Sequence, residues 1–138
     1  MSGPNVFPDP YVNKRDVLGR VVAVLRGVTD QRGLELAAHR SRAMPAGEIH
    51  ELMLTDEAAA LGSTVQRVAL LAFFEVSQGG IVLAGDQAEV GGHALGLVVG
   101  FNETHMPNHL NVCLQSNQLV DGETLGVEIG DPVRIWRE

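Results

Sequence analysis

The segment that decides the fold is residues 67–76, with the sequence RVALLAFFEV. It is apolar almost throughout, which is typical of a β-strand that is buried on both faces. Gly79 and Gly80 end the run. On both sides of it the chain contains further short β-branched or alternating runs, separated by turns rich in glycine and aspartate. The sequence therefore predicts an all-β fold.

The expected strands are short and closely spaced. On the amino-terminal side, residues 21–25 and 34–39 flank a turn at 29–33, which predicts a hairpin over 17–40. Residues 48–54 fit either a strand or a helix. On the carboxyl-terminal side the predicted strands are 81–84, 88–90, 95–101, 109–115, 125–129 and 133–136. In 95–101, the larger side chains Leu95, Leu97, Val99 and Phe101 are expected to share one face, opposite Gly96, Val98 and Gly100.

These strands indicate a small closed or partly open β-barrel with one short helix. Sixteen glycines supply the bulges and corners that closing a sheet requires. The helix is expected over 56–61, with Thr55 as its N-cap and Gly62 at its end. Residues 15–138 would form a single β-barrel domain. Residues 1–14 contain three prolines and would form an extended N-terminal arm.

Composition and charge narrow the classes of protein to which the chain can belong. The 138 residues are 45% apolar and 20% charged, as in an ordinary globular domain. The net charge of −7 would repel phosphate backbones, which disfavours a nucleic-acid partner. No apolar run reaches the roughly 18 residues of a membrane span. The start of the chain lacks the pattern of a signal peptide, and a single cysteine excludes an internal disulfide. These features predict a cytoplasmic protein.

One dense polar segment, residues 102–111, has the sequence NETHMPNHLN. If residues 109–115 form a strand, His109, Asn111, Cys113 and Gln115 share one face. A row of imidazole, amide and thiol groups without lysine or glutamate indicates the lining of a pocket for a neutral or anionic small molecule. The alternative is that these amides only satisfy the backbone of the loop.

Proton transfer is the chemistry that this segment favours. His105 and His109 would exchange protons near neutral pH, and Glu103 would fix the imidazole tautomer. Asn108 and Asn111 would position the substrate, with Cys113 beside them. A metal site is the less favoured alternative, because Pro107 opposes a helix and an extended chain separates the two histidines by about 13 Å. Only an irregular loop would bring both to one zinc ion, with Glu103 or His93 as the third ligand. No cofactor is expected.

His50 stands between two acidic neighbours, in the order Glu48, Ile49, His50, Glu51. Such a neighbourhood is typical of a solvated surface. We therefore expect His50 on a polar surface, outside any site.

From about Leu54 to its end, the chain resembles the glucitol/sorbitol-specific IIA component of the sugar phosphotransferase system. The resemblance is carried by 56–62 followed by the strand at 67–76, Gly79-Gly80-Ile81, Ala84-Gly85-Asp86, the stretch 92–100, the loop around Pro107, and Gly130-Asp131-Pro132-Val133. It implies a small, partly open β-barrel, with residues 1–47 as an addition. The family's phospho-accepting histidine lies on the apolar strand. Residues 68–76 contain no histidine, so phosphotransfer is not expected.

Two hypotheses follow. The first is a small cytoplasmic enzyme that binds a polar small molecule in a barrel pocket and carries out cofactor-free histidine acid/base chemistry of the isomerase, cyclase or lyase type. The second is a non-catalytic small-molecule-binding or interaction module of the phosphotransferase IIA-like barrel type. In both, an N-terminal arm and unpaired strand edges favour a homodimer, without nucleic-acid or membrane partners.

Overall fold

The chain folds into strands with one short helix. The computed structural model describes residues 10–11 and 13–138. In these residues the strands are β1 Val17–Val24, β2 Val28–Thr29, β3 Leu34–Glu35, β4 Ser41–Met44, β5 Ile49–Thr55, β6 Thr64–Val65, β7 Val68–Gln78, β8 Gly80–Leu83, β9 Gln87–Val90, β10 His93–Asn102, β11 Asn111–Gln115 and β12 Pro132–Trp136, and the helix α1 is Gly122–Leu125. The predicted all-β class with one short helix is confirmed.

Seven strands form a closed ring of hydrogen-bonded pairs. The order is β1, β12, β9, β10, β11, β5 and β7, and β7 pairs back to β1. The pair β5–β11 is parallel, and the other pairs in the ring are antiparallel. The strand β7 contains most of the apolar segment that decides the fold. It lies between β5 on one edge and β1 with β2 on the other.

The interior of the ring is filled by apolar side chains. They come from all seven strands and form one buried cluster, because alternate residues of each strand point inward. The largest of them include Leu52, Leu54, Leu71, Phe74, Phe101, Leu110, Leu114 and Ile135. Burial of such side chains contributes roughly 1.5–3 kcal/mol each. The ring is therefore held together by its packed interior.

Two short pairs of strands lie outside this ring. The pair β4–β8 is one of them. The other, β3–β6, covers part of the outer surface of the ring and buries a second apolar cluster. That cluster consists of Leu34, Leu36, Met53, Val65, Val68 and Cys113. We call β3 and β6, with residues 36 and 37, the outer flap.

The hairpin predicted over 17–40 is wrong. The strand β1 pairs with β7 and β12, and β3 pairs with β6 instead of β1. The long apolar strand β7 offers β1 a partner that brings its inward side chains into the main core, which a local hairpin would not. Leu34 is buried in the second cluster instead.

The helix predicted over 56–61 is also wrong. Thr55 Oγ1 does accept from the backbone N–H of Glu57 at 3.1 Å, as a cap would. However, Glu57 accepts from the backbone N–H groups of Gln66 and Arg67, and Asp56 pairs with the Arg67 guanidinium. These contacts hold the segment as a loop, and six residues are too few to form a helix without packing.

The helix forms instead at Gly122–Leu125, and the strand predicted over 125–129 is wrong, because no strand forms in those residues. Asp121 is the N-cap and accepts from Thr124 N–H, and Gly126 ends the helix in the left-handed conformation. At Gly122 a Cβ atom would approach within 1.9 Å of the Leu71 carbonyl oxygen. The close contact with β7 therefore requires glycine at this position.

The predicted faces of β10 are interrupted by two bulges. One lies between Ala94 and Gly96, and the other between Val98 and Gly100. Each bulge shifts the alternation by one residue. As a result Leu95, Val98 and Phe101 enter the core, and Leu97 is exposed.

Of the predicted arm, residues 1–9 and Val12 lie outside the described residues. Within the described part, Lys14 Nζ lies 2.8 Å from Asp86 Oδ2 in a buried ion pair, which joins this segment to the turn before β9. The described residues also contain no helix of the length and apolarity that crossing a membrane requires.

Candidate functional site

A row of four side chains crosses the outer face of the ring at one level. Phe73 on β7 lies opposite Glu51 on β5, Glu51 lies opposite Asn111 on β11, and Asn111 lies opposite Asn102 on β10. Glu51, Asn102 and Asn111 are buried. Three buried polar side chains that lie opposite one another on three adjacent strands make this row the candidate site.

The alternation of the strands places these residues outside the ring. Leu110, Val112 and Leu114 belong to the interior cluster, so Asn111 faces outward, and Cys113 belongs to the outer cluster. The two faces predicted for this part of β11 are thus observed. The interior is occupied by the apolar core, and the polar groups gather beside the outer flap.

His109 is the imidazole closest to this row. Its side chain is 11% exposed, and its Nε2 lies 3.4 Å from Glu51 Oε1. At the other nitrogen, Asn108 Nδ2 lies 2.8 Å from His109 Nδ1. Because an amide nitrogen can only donate, Nδ1 is the acceptor and a neutral ring carries its proton on Nε2, toward Glu51.

Two further rings hold the His109 ring in place. Phe73 and His109 make an edge-to-face contact, with ring centroids 4.9 Å apart and an interplanar angle of 81°. On another side His105 stacks on His109 at 5.0 Å and 25°. His105 itself is exposed. The His109 ring is therefore fixed by Phe73 from the sheet and covered by His105 from the loop.

Burial shifts the two titratable groups of this contact in opposite directions. It raises the pKa of Glu51, and the charge of Arg32 opposes that shift. Burial lowers the pKa of His109, as do the charges of His105 and His50, whereas the neighbouring Asn111 side chain acts the other way. Each shift favours the neutral form of its group, which brings the two proton affinities closer together.

Two buried polar atoms at this place have no hydrogen-bond partner among the described residues, namely His109 Nε2 and Asn111 Oδ1. The 3.4 Å contact of Nε2 with Glu51 is within ion-pair distance but lacks hydrogen-bond alignment. An unsatisfied buried group costs about 1–3 kcal/mol. Sites that keep such groups are often functional.

The orientation of Asn111 is set by a chain of amides. Its Nδ2 donates to Asn102 Oδ1 at 3.0 Å, and Asn102 Nδ2 donates to the backbone carbonyl of Glu35 in the outer flap at 2.8 Å. Asn102 Oδ1 also accepts from the Thr104 backbone N–H at 3.2 Å. Since the Nδ2 of Asn111 donates to Asn102, its Oδ1 remains available as a hydrogen-bond acceptor for His109.

A surface hollow of about 350 Å³ opens beside His109. It is lined by Gly47, Ile49, Phe73, Asn108 and His109. The hollow gives a small molecule access to the Asn108–His109 edge, where Nδ1 lies.

The structure brings some of the predicted site residues together and separates others. His105, Asn108, His109 and Asn111 lie in one cluster. Glu103 has other partners: its carboxylate is 2.7 Å from Arg42 Nη1 and 3.6 Å from His39 Nε2. The carboxylate that meets the imidazole is that of Glu51.

Cys113 lies in the second apolar cluster and is completely buried. Burial raises the pKa of its thiol to about 12. A thiol of this kind is neutral and shielded, so Cys113 packs beneath the polar row.

The expectation that His50 lies on a polar surface is wrong. Its ring is buried, its Nδ1 accepts from the Leu110 backbone N–H at 3.0 Å, and its Nε2 lies 2.9 Å from Glu48 Oε1. Reading 49–55 as an alternating strand would have placed His50, Leu52 and Leu54 inward and Glu51 outward. That alternation is the signal by which sequence reasoning could have found Glu51.

In the part of the chain that the structure describes, no group of three or more histidine, cysteine, aspartate or glutamate side chains is arranged to hold a metal ion. The chemistry open to the cluster as it stands is proton exchange and hydrogen bonding by imidazole, carboxyl and amide groups.

Comparison with known proteins gives one match. No curated protein and no solved structure matches the chain. A family model, described as a family of unknown function and designated DUF6917, matches residues 11–136. The match covers nearly the whole chain, including every residue of the polar row and of the hollow. The chain therefore belongs to the DUF6917 family.

Proposed function

We propose that this protein is a small cytoplasmic enzyme that moves a proton on a small polar molecule without a cofactor, using His109 and Glu51. The proposal is carried by one observation: an imidazole and a buried carboxyl group meet at 3.4 Å beside an open hollow. A base oriented by a second group is the usual arrangement in acid/base catalysis.

His109 is the base in this proposal, and Nδ1 is its working atom. Nδ1 faces Asn108, whose exposed side chain a substrate can displace, and both residues line the hollow. When Nδ1 takes a proton, the ring becomes cationic and Nε2–H turns more acidic. Glu51 then stabilises that charge across 3.4 Å, or accepts the second proton.

Asn111 and Asn102 act as positioning residues. The amide chain leaves Asn111 Oδ1 unpartnered and buried, and the Asn111 side chain beside the ring raises the pKa of His109, which favours its protonated form. The oxygen therefore stabilises the imidazolium that exists only during the reaction. A group placed for the charged intermediate lowers the barrier more than it tightens substrate binding.

The reaction types that fit are those in which a proton leaves one atom and returns to another: isomerisation, cyclisation or a lyase step. They need no redox partner, and His109 can both take and return the proton. A free, buried cysteine fits a reducing compartment such as the cytoplasm. A homodimer remains part of the proposal, supported by the N-terminal arm that the sequence predicts and, in the described part of the chain, by the unpaired edges of the short strands outside the ring.

The alternative proposal is a non-catalytic interaction or small-molecule-binding module of the phosphotransferase IIA-like type. It is favoured by the exposed loop 103–108, where Met106 is 39% exposed. Under this alternative the loop is a contact surface and Glu51 plays no part.

Hydrogen–deuterium exchange into a mixture of small polar metabolites tests the enzyme proposal. The purified chain is incubated with the mixture in D₂O, and mass spectrometry records which compounds gain deuterium beyond a protein-free control. We expect at least one compound to gain deuterium. His109→Gln should reduce that rate at least about 100-fold, the usual contribution of a general base.

The matched control is His93→Gln, which replaces an exposed histidine at the start of β10. It should exchange like the wild type. No exchange in any compound, or equal rates in the wild type and His109→Gln, would reject the enzyme proposal and leave the interaction module.

A further inference from the structure

We infer that the molecule which enters the hollow beside His109 is an uncharged carbonyl compound with an apolar portion. This inference rests on the proposed function and names its substrate class. The sequence leaves neutral and anionic ligands equally open, and the structure distinguishes between them by the charges and surfaces around the hollow.

The lining of the hollow is uncharged. Among the described residues, its walls are Gly47, Ile49, Phe73, Asn108 and His109, without lysine, arginine, aspartate or glutamate. A buried anion or cation needs a charged or multiply hydrogen-bonding partner, because desolvating an ion is costly. The walls contain no side chain with a permanent charge, and their polar side chains are confined to Asn108 and His109.

The nearby charges oppose an anion in particular. Glu75 lies opposite Ile49 in the β5–β7 pair and is exposed. Arg42, which is engaged by Glu103 at 2.7 Å, does not line the hollow, and neither does Arg32, whose charge acts on Glu51. With a net charge of −7, the whole chain adds to the repulsion of an anion.

A cation is disfavoured by the position of Glu51. That carboxyl group is 9% exposed and lies behind His109, so it does not reach the hollow. The Glu48 carboxylate is engaged with His50 at 2.9 Å, and the Glu75 carboxylate does not line the hollow, so neither is a direct partner for a bound cation. An ammonium group in the hollow would meet apolar side chains on two walls.

Apolar contacts favour a ligand with a hydrocarbon part. Ile49 is 44% exposed although it lies on a central strand, and Phe73 is half-buried beside it. Together they present an apolar surface to a volume of about 350 Å³. This volume is at the lower end of the range for small-ligand sites.

The polar end of the hollow fits a carbonyl group. Asn108 Nδ2 is a donor that can turn from His109 Nδ1 to a carbonyl oxygen, and Nδ1 is then free to take a proton from the adjacent carbon. The C–H bond breaks, its electron pair forms the C=C bond of an enolate, and the negative charge moves to the oxygen. Return of the proton from His109 to another carbon or to the oxygen completes an isomerisation without an oxidant or reductant.

The test is a comparison of four probes by NMR, with the His109 and Phe73 ring signals as the readout. Benzamide is uncharged, benzoate is anionic and benzylammonium is cationic, and all three share a phenyl ring. Acetamide is uncharged and lacks the ring. We expect benzamide to bind at least about tenfold more tightly than the other three, a difference of about 1.4 kcal/mol.

A charge-reversal variant sharpens the comparison. Ile49→Lys places a cation on the wall of the hollow and should make benzoate the tightest of the four probes. The control is Ile129→Lys, which changes an isoleucine that is 74% exposed and lies outside the hollow. It should leave the order of the probes unchanged.

The inference is overturned if benzoate or benzylammonium binds wild-type protein as tightly as benzamide, if acetamide does so, or if no probe shifts the two ring signals. Failure here is distinct from failure of the proposed function. Benzamide binding reports the hollow alone, whereas deuterium exchange reports the proton transfer, and either result can be negative while the other is positive.

Discussion

Glu51 lies directly opposite Asn111 in the one parallel pair of the ring, and its carboxyl group lies 3.4 Å from His109, two residues before Asn111. Parallel pairing places the side chains that precede β11 next to the amino-terminal half of β5. A carboxyl group and an imidazole that are far apart in sequence thus meet on the outer face of the ring. Substitutions at this contact and at the residues that support it have distinct expected effects on stability and on proton transfer.

Replacing Glu51 by glutamine should have different effects on the stability and on the activity of the protein. The folded-state pKa of Glu51 is raised by burial, so the folded state binds its proton more tightly than the unfolded state does. The wild type therefore loses stability as the pH rises above the ordinary range of a glutamate. Glu51→Gln lacks this loss and should be as stable as the wild type or more so at neutral pH.

The same variant should exchange deuterium about 100-fold more slowly than the wild type. Urea unfolding across a pH series and the exchange assay measure the two effects. A variant that unfolds more easily at neutral pH but keeps full activity would show that Glu51 supports the fold and takes no part in proton transfer.

His109 should make the protein sensitive to mild acid. Burial lowers its pKa in the folded state, so the unfolded state takes up the proton first as the pH falls. The free energy of unfolding should therefore decrease as the pH drops below the ordinary range of histidine, and this decrease should be absent in His109→Gln. NMR titration of the imidazole should give a pKa below that of a histidine in a short peptide. A titration at or above the peptide value would contradict the burial described here.

Asn102→Ala should disrupt the amide chain. It leaves Asn111 Nδ2, the Thr104 N–H and the Glu35 carbonyl without their partner. We expect a loss of about 2 kcal/mol in the free energy of unfolding, because buried polar groups without partners cost about 1–3 kcal/mol. The control is Asn117→Ala, in an exposed loop, which should stay within about 0.5 kcal/mol of the wild type. Similar losses in both variants would mean that the chain of amides contributes little.

Cys113 should be unreactive in the folded protein. It is fully buried and its thiol has a pKa raised to about 12, so almost none of it is thiolate at about pH 8. Iodoacetamide should label the chain only after unfolding in urea, as measured by intact mass. Rapid labelling of the folded protein would show that Cys113 is accessible, and would support its predicted role as a substrate-binding residue.

Part of the site can be predicted from the sequence because it depends on local order. The segment 102–111 stands out by its density of polar residues, and alternation in β11 correctly places Leu110 inward and Asn111 outward. The assignment of Glu103 as the partner of the imidazole rests on closeness in sequence alone. Folding instead turns Glu103 toward Arg42 and brings Glu51 to His109. The resemblance to the phosphotransferase IIA component stays a prediction.

The sequence by itself determined the all-β class, the central apolar strand, predicted over 67–76, and the inward face of β11, since period-two alternation and long apolar runs act within a single strand. Only the tertiary structure decided which strands became neighbours. The pairing of β1 with β7, the parallel contact of β5 with β11 and the position of the helix at 122–125 depend on burial and close packing between distant segments. The candidate site is a product of that pairing, because its carboxyl and imidazole groups come from strands that no local pattern connects.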